Sequence, residues 1–580
     1  MFSVDQVVSQ HFPQISNKPW LRKPVTYFLR RLLHEKEFIE FGQLYPHLSG
    51  FDFIEKVLDY FDFSYRTTER EIERIPVAGR VVIVANHPIG SLDGLALLQF
   101  IHRIRPDVKV VANELLMSIK PLQPTLLPVN NMNGLTVKEN LQNIHNHLQQ
   151  DGALIIFPAG EVSRLRPTGI KDIKWNSGFL RMASRAQAPI LPIHIQARNS
   201  ALFYGTSMLY KPLATLLLVK EMFKQNANTV KMTVGKMVPY DSYQGDQIST
   251  SAKVKLLQKQ TYRLAKGKNG YFRTETPIAH PEPRIALKQA VERCEKLGTT
   301  PDNKHIYLYK HSDSSPVLRE LGRLREVSFR AVGEGTGTKR DIDHYDSHYL
   351  HLILWDADEL EIAGAYRFAK AAEIIKAQGD DGLYSQSLFH YGDVMKPCLA
   401  QGLELGRSFV QPKYWGRRSL DYLWLGIGAF IAKHPQYRYL FGPVSISDSL
   451  PKNAKDLLIY FYQLYFSAEQ GMATAKVPYQ VPENLLTSLS VEFVGNDYKQ
   501  DFITLKAVLD NMGTAIPTLY KQYSEVCDPG GVKFLDFGVD PDFNNCIDGL
   551  VLVDLAQLKA NKRQRYINAH LPKPVSTELN

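Results

Sequence analysis

The sequence predicts a two-domain α/β protein: an N-terminal α/β layered domain followed by a C-terminal mixed α+β domain. Three observations predict it. Its 580 residues exceed what one compact core usually holds. Short apolar runs alternate with amphipathic helical stretches in the first half only. Between the halves, residues 265–284, "AKGKNGYFRTETPIAHPEPR", are dense in glycine, proline and polar side chains, the composition of a boundary.

In the first half, "VVIVA" (81–85), "VKVVA" (108–112), "ALIIF" (153–157) and "PILPIHI" (189–195) are apolar on both faces, and helical patterns at 92–104 and 136–149 lie between them. Strands buried on both sides and separated by helices indicate a largely parallel sheet. In the second half, 305–310, 349–356, 359–369, 402–410 and 439–447 read as longer strands, with helices over 417–433 and 454–466. The divisions that follow are a helical segment over 1–70, a first domain over 71–265, a linker over 266–285, a second domain over 286–560 and a tail over 561–580.

The net charge of +10 favours an anionic partner. Basic residues are interspersed with acids and no helix-turn-helix or aromatic RNA-binding box occurs, so nucleic acid is not expected. Four cysteines without CxxC spacing, Cys294, Cys398, Cys527 and Cys546, imply reduced thiols, and no metal site is expected. No apolar run reaches the length of a membrane span. Two cationic, apolar stretches, 18–38 and 209–224, suit a membrane surface, or equally a helix packed on its own core.

Chemistry concentrates after the first apolar strand, in "ANHPIGSLD" (85–93). His87 follows the strand end, and Ser91 is placed to cap a helix starting at Leu92, which puts Asp93 in its first turn. A neutral imidazole could there take a proton from an alcohol while the carboxylate fixes its tautomer. Pro88 and Gly90 shape the loop. A second strand end, "FPAGEVSR" (157–164), delivers Gly160, Glu161, Ser163 and Arg164 to the same sheet edge.

In order and spacing, "NHPIGSLD", "FPAGEVSR" and "APILPIHI" resemble the blocks of the glycerolipid (lysophosphatidate-type) acyltransferases. The resemblance implies acyl transfer from a thioester to a hydroxyl, with His87 as base and Asp93 orienting it. Asn86, Gly90, Asn130, Gly160, Glu161, Ser163 and Arg164 would then contact substrate. This chain departs from the usual pattern in three places. Five residues rather than four separate His87 from Asp93, Ala159 stands where a glutamate is usual, and "LLPVNNMNG" (126–134) replaces an arginine-bearing phosphate block.

In the second half, Glu404 and Arg407 of "ELGRSF" would face opposite sides of a regular strand, and a bulge at Gly406 could bring both to one site. "LREVSFRAVGEG" (324–335), "IAGAYRFA" (362–369), "ELGRSFVQPKY" (404–414), "YLFGPVSIS" (439–447) and "DPDFNNCIDGLVLVDL" (540–555) resemble the ornithine-lipid N-acyltransferases, a GNAT-like group similar to acyl-homoserine-lactone synthases. That resemblance implies transfer of an acyl chain from acyl carrier protein, or CoA, to an amino-acid amine, with Glu404, Gly406 and Arg407 at the site. "GEGTGTK" (333–339) lacks the context of a phosphate loop and reads as a flexible loop, and His344, Tyr345, Asp346 and His348 read as loop polars.

Jointly the halves resemble the fused acyltransferases that make ornithine-type aminolipids, N-acylating an amino acid and then O-acylating the lyso-lipid. Such a protein would bind no cofactor, take acyl-acyl carrier protein as donor, and sit peripherally on the anionic cytoplasmic face of the inner membrane. Two other readings stay open: a lysophospholipid O-acyltransferase whose second domain is not catalytic or has another specificity, and a membrane scaffold with a decayed site.

Overall fold

A computed structural model describes residues 26–571 except 28, 33, 114, 115, 118, 130–137, 168, 210, 313 and 544, with the backbone alone at 209 and 211–216. The chain divides into two units, Met1–Pro277 and Ile278–Asn580.

The first unit is built on a seven-stranded sheet. Its strands are β1 (Ser64–Arg66), β2 (Val81–Ala85), β3 (Lys109–Asn113), β4 (Leu126–Val129), β5 (Ala153–Ile156), β8 (Ile190–Gln196) and β9 (Thr229–Val234), and β6 (Arg164–Arg166) pairs with β7 (Gly169–Lys171) as a separate hairpin. The order is β1-β9-β8-β2-β5-β3-β4, parallel from β8 through β4, with β9 antiparallel to β8.

Side-chain alternation explains the uninterrupted apolar runs. On β2, Val81, Ile83 and Ala85 enter one core with the helix Leu92–His102, whereas Val82 and Val84 enter the opposite core. That second core holds Ile144, Phe179 and Leu257, from the helices Lys138–Gln149, Gly178–Arg185 and Thr250–Leu264. A strand sandwiched this way can carry no outward polar side chain, and its chemistry is confined to its end.

The second unit has an eight-stranded sheet. Its strands are β10 (Glu295–Thr299), β11 (His305–Lys310), β12 (Leu350–Asp356), β13 (Glu361–Lys370), β15 (Gly402–Val410), β16 (Tyr439–Ile446), β18 (Val532–Asp540) and β19 (Cys546–Asp554), in the order β10-β11-β12-β13-β15-β16-β19-β18. A small pair, β14 (Phe389–Tyr391) with β17 (Ala473–Ala475), stands apart. The helix Arg284–Val291 stops short of residues 295–299, which pair with β11 as an edge strand.

Every neighbouring pair in the large sheet is antiparallel except β15 with β16, which the helix Ser419–Lys433 connects. That parallel pairing is short. Gly402–Glu404 pair with Tyr439–Phe441, after which the partnership ends while β16 continues against β19 to Ile446. At the divergence Gly442 packs so tightly that a Cβ there would lie 2.0 Å from the Leu405 carbonyl oxygen. Among the described residues no helix is long and apolar enough to cross a membrane.

Candidate active sites

In the first unit, β2 ends at Ala85 and the chain turns through Asn86 and His87 into the helix Leu92–His102. Gly90 sits at φ +87°, with the position of a Cβ only 3.1 Å from the Val162 side chain, so glycine is needed for both conformation and space. The expected Ser91 cap does not form: Ser91 makes no capping bond and its Oγ is buried without a partner. Asp93 does the capping. Its fully buried carboxylate accepts the amides of Ile89, Gly90, Ser91 and Gly94 at 3.0–3.1 Å, which ties the loop to the helix start.

The same carboxylate lies 3.1 Å from His87 Nδ1, so the five-residue spacer does not part the pair. The loop folds back to make the contact. Phe157 stacks on the imidazole at 4.2 Å, and the buried Asp172 accepts the His87 amide at 3.3 Å while also holding Ser163 Oγ and Trp175 Nε1. Burial pulls the His87 pKa down, but the charge and hydrogen bond of Asp93, with Asp172 behind, lift it above the ordinary value. Asp93 itself is held low, because its burial is outweighed by His87 and the loop amides. Nδ1–H therefore donates to Asp93 and Nε2 is left for chemistry.

His87 opens on a cavity of about 1150 Å³ with a mainly apolar wall. Of the sequence-derived site residues, His87, Gly90 and Gly160 line it, and Asp93 acts from behind. Others are placed elsewhere. The Asn86 amide is consumed bridging β2 to β8, donating to the Ile195 carbonyl at 2.9 Å and accepting its N–H at 2.8 Å. Ser163 is bonded to Asp172, and Arg164 is buried against Ser207, Glu161 and the Phe203 ring. Asn130 lies outside the described residues. Leu218, Val219, Met222 and Phe223, from the 209–224 stretch, line the cavity, as do Glu37 and Phe38 from the 18–38 stretch.

The second unit gathers buried charge at β12, β13 and β15. Arg325 Nη1 lies 2.8 Å from Asp346 and Nη2 lies 3.1 Å from His351 Nδ1, while Arg367 Nη1 reaches Asp343 at 2.6 Å and Asp346 at 3.2 Å. Burial would raise Asp346, yet the two guanidinium charges hold it far below the carboxylate range. Burial and Arg325 together push His351 down to about 3, so it stays neutral. Asp346 is thus the centre of an internal charge network and no loop polar. The "GEGTGTK" segment is tied down by the Glu326 carboxylate, which accepts the Thr336 and Gly337 amides.

The register of β13 against β15 shifts between Ala365 and Arg367, as a bulge requires. The residue in the left-handed region is Arg407, at φ +47°, and not Gly406, whose backbone is ordinary. Glu404 and Arg407 do not touch but converge on Tyr384. Its amide donates to Glu404 at 3.2 Å, and its hydroxyl accepts from Arg407 at 3.2 Å and donates to Asp540 at 2.9 Å. Glu404 is saturated by this amide, the Ser385 amide and the Tyr349 hydroxyl. The Asp548 carboxyl group on β19 accepts from Ser445 Oγ at 2.6 Å, and burial lifts its pKa to about 7.

A family described as Acyltransferase matches residues 8–270, and the acetyltransferase (GNAT) domain family matches residues 324–425. A Bacteroides thetaiotaomicron protein named Glycine N(alpha)-acyltransferase is 30% identical over 307 residues, 51% of this chain and 90% of that protein. A second protein of the same bacterium, named Lyso-glycine lipid O-acyltransferase, is 30% identical over 250 residues, 42% of this chain and 90% of its own. The chain belongs to the acyltransferases. A Rhizobium meliloti protein named L-ornithine N(alpha)-acyltransferase is 31% identical over 128 residues, 21% of this chain and 42% of that protein.

This acyltransferase therefore joins two acyl-transfer domains, the second of GNAT type. Sequence reasoning missed most of the polar network in its second domain: Arg325, Asp343, Arg367, Tyr384 and Asp548. A signal was available, since Arg325, Arg367 and Asp548 each interrupt an apolar pattern, and a buried charge persists only where a partner is built for it.

Proposed function

We propose that the chain makes a doubly acylated amino-acid lipid in two steps. The second unit N-acylates an α-amino acid, and the first then O-acylates a hydroxyl on the chain just attached. One observation carries the reading. Two proteins of a single bacterium, one named for N(alpha)-acylation of glycine and one for O-acylation of a lyso-glycine lipid, align over 90% of their own lengths with 51% and 42% of this chain. Glycine is accordingly the first acceptor to test, with ornithine second.

For the O-transfer, the acceptor hydroxyl gives its proton to His87 Nε2 as its oxygen attacks the thioester carbonyl. The C–O bond forms, the C–S bond breaks, and the imidazolium returns the proton to the departing thiolate. Asp93 steadies the imidazolium, and base catalysis of this kind contributes about 10²–10⁴ in rate. Supporting the N-transfer, β15 and β16 part beyond Glu404 and Phe441, leaving backbone amides and carbonyls between them for an extended thioester arm. There the amine nitrogen attacks the thioester carbonyl, the C–N bond forms, the C–S bond breaks, and the proton lost by the nitrogen leaves on the departing thiol.

Acyl carrier protein as donor and an anionic membrane surface as the working place fit the net charge of +10. The test is a lipid profile of cells given this chain. The wild type should yield the diacylated lipid, and His87→Ala should accumulate the N-acyl amino acid. A lysophospholipid change without any aminolipid would overturn the reading in favour of a single O-acyltransferase.

A further inference from the structure

We propose that Arg181 and Arg185 form a carboxylate site at the rim of the first unit's cavity, holding the acid group of an N-acyl amino acid while its hydroxyl meets His87. This rests on the two-step reading above and names how its second acceptor is recognised.

Both cations line the same cavity as His87, and both are exposed. Arg181 and Arg185 stand four residues apart on the helix Gly178–Arg185 and so share one face of it. From the same helix Phe179 and Met182 join the cavity wall. Among the described residues neither makes an ion pair. Arg185 donates to Gln142 Oε1 at 3.4 Å, and among the described residues the Arg181 side chain makes no hydrogen bond. The one described acid on the lining, Glu37, is already engaged with His34 at 2.9 Å.

The cavity thus has an apolar body and a cationic rim, the complement of an amphiphile with one acidic head. An acidic donor carrier would also meet surface cations, but an N-acyl amino acid presents an apolar tail and a carboxylate in one small molecule, which the cavity's body and rim can hold together. Arg164, the arginine to which the sequence motif points, cannot serve. It is buried in contacts with Ser207, Glu161 and Phe203 and does not line the cavity. Planar guanidinium groups pair with carboxylates through two parallel hydrogen bonds, which suits Arg181 and Arg185 better than a point charge.

The test uses the full-length protein with N-(3-hydroxyacyl)glycine and its primary amide, which differ by the charge alone. Calorimetric binding to wild type should favour the acid by about 10- to 100-fold. Arg181→Gln with Arg185→Gln should bring the acid down to the affinity of the amide, and Arg181→Lys with Arg185→Lys should keep part of the preference. Melting temperature checks that each variant is folded. In turnover the loss should fall on the KM of the acceptor. Equal wild-type affinity for acid and amide, equal weakening of both by the substitutions, or a shift in the KM of the donor instead would overturn the site. Discrimination without O-acyl product would leave the site and sink the O-acylation. Product without discrimination would do the reverse.

Discussion

At the scale of single residues, Asp93 has two duties that mutation can separate. It gathers four loop amides at the helix start, and it faces His87 Nδ1. Asp93→Asn keeps an oxygen for some of the amides but removes the charge that lifts the imidazole pKa. O-acylation needs neutral His87, so its kcat/KM should fall as pH drops through an apparent pKa above the ordinary 6.5. In Asp93→Asn the inflection should move to lower pH while the plateau falls by about 10²–10⁴. A pH–rate profile with the lyso-lipid acceptor measures both. A lowered plateau with an unmoved inflection would show that Asp93 serves the loop and not the base.

At the scale of elements, function depends on strands that stop or part. β2 is buried on both faces and presents chemistry only beyond Ala85, and β15 leaves β16 after three paired residues. Gly442 stands at that parting, and an added Cβ would meet the Leu405 carbonyl oxygen at 2.0 Å. Gly442→Ala should cost about 1–3 kcal/mol of stability in the second unit and abolish N-acylation, while O-acylation of a supplied lyso-lipid persists. A melting curve and two separate activity assays decide it. This is also where legibility in the sequence runs out. The parallel strands of the first unit were readable because burial on both faces leaves an uninterrupted apolar run, and the dyad because its residues follow such a run. The Ser91 cap was misjudged because Asp93, two residues on, competes for the same amides and wins with a charge. The bulge was foreseen but assigned to Gly406, since sequence rules favour glycine at positive φ. Arg407 is held there by Asp341, Tyr384 and Phe543, contacts that only the tertiary structure brings together.

At the scale of the whole molecule, joining both transfers in one chain matters if the intermediate is an amphiphile that would otherwise dissolve into the membrane. A tether keeps the second site at about millimolar effective concentration relative to the first. Two inactivated full-length chains test this, because each retains one working unit. His87→Ala should stop the O-transfer alone, and Glu404→Gln, which disturbs a carboxylate saturated by two amides and a tyrosine hydroxyl, should stop the N-transfer alone. Mixed in equal amounts they should still make diacylated lipid, but with a lag and with more free N-acyl amino acid than the same amount of wild type releases. Raising the membrane lipid in the assay should widen that gap, since dilution penalises only the intermediate that must travel between chains. If the mixture matches wild type at every dilution, then the covalent link gives the reaction no kinetic benefit, and its use lies in keeping the two activities at equal abundance.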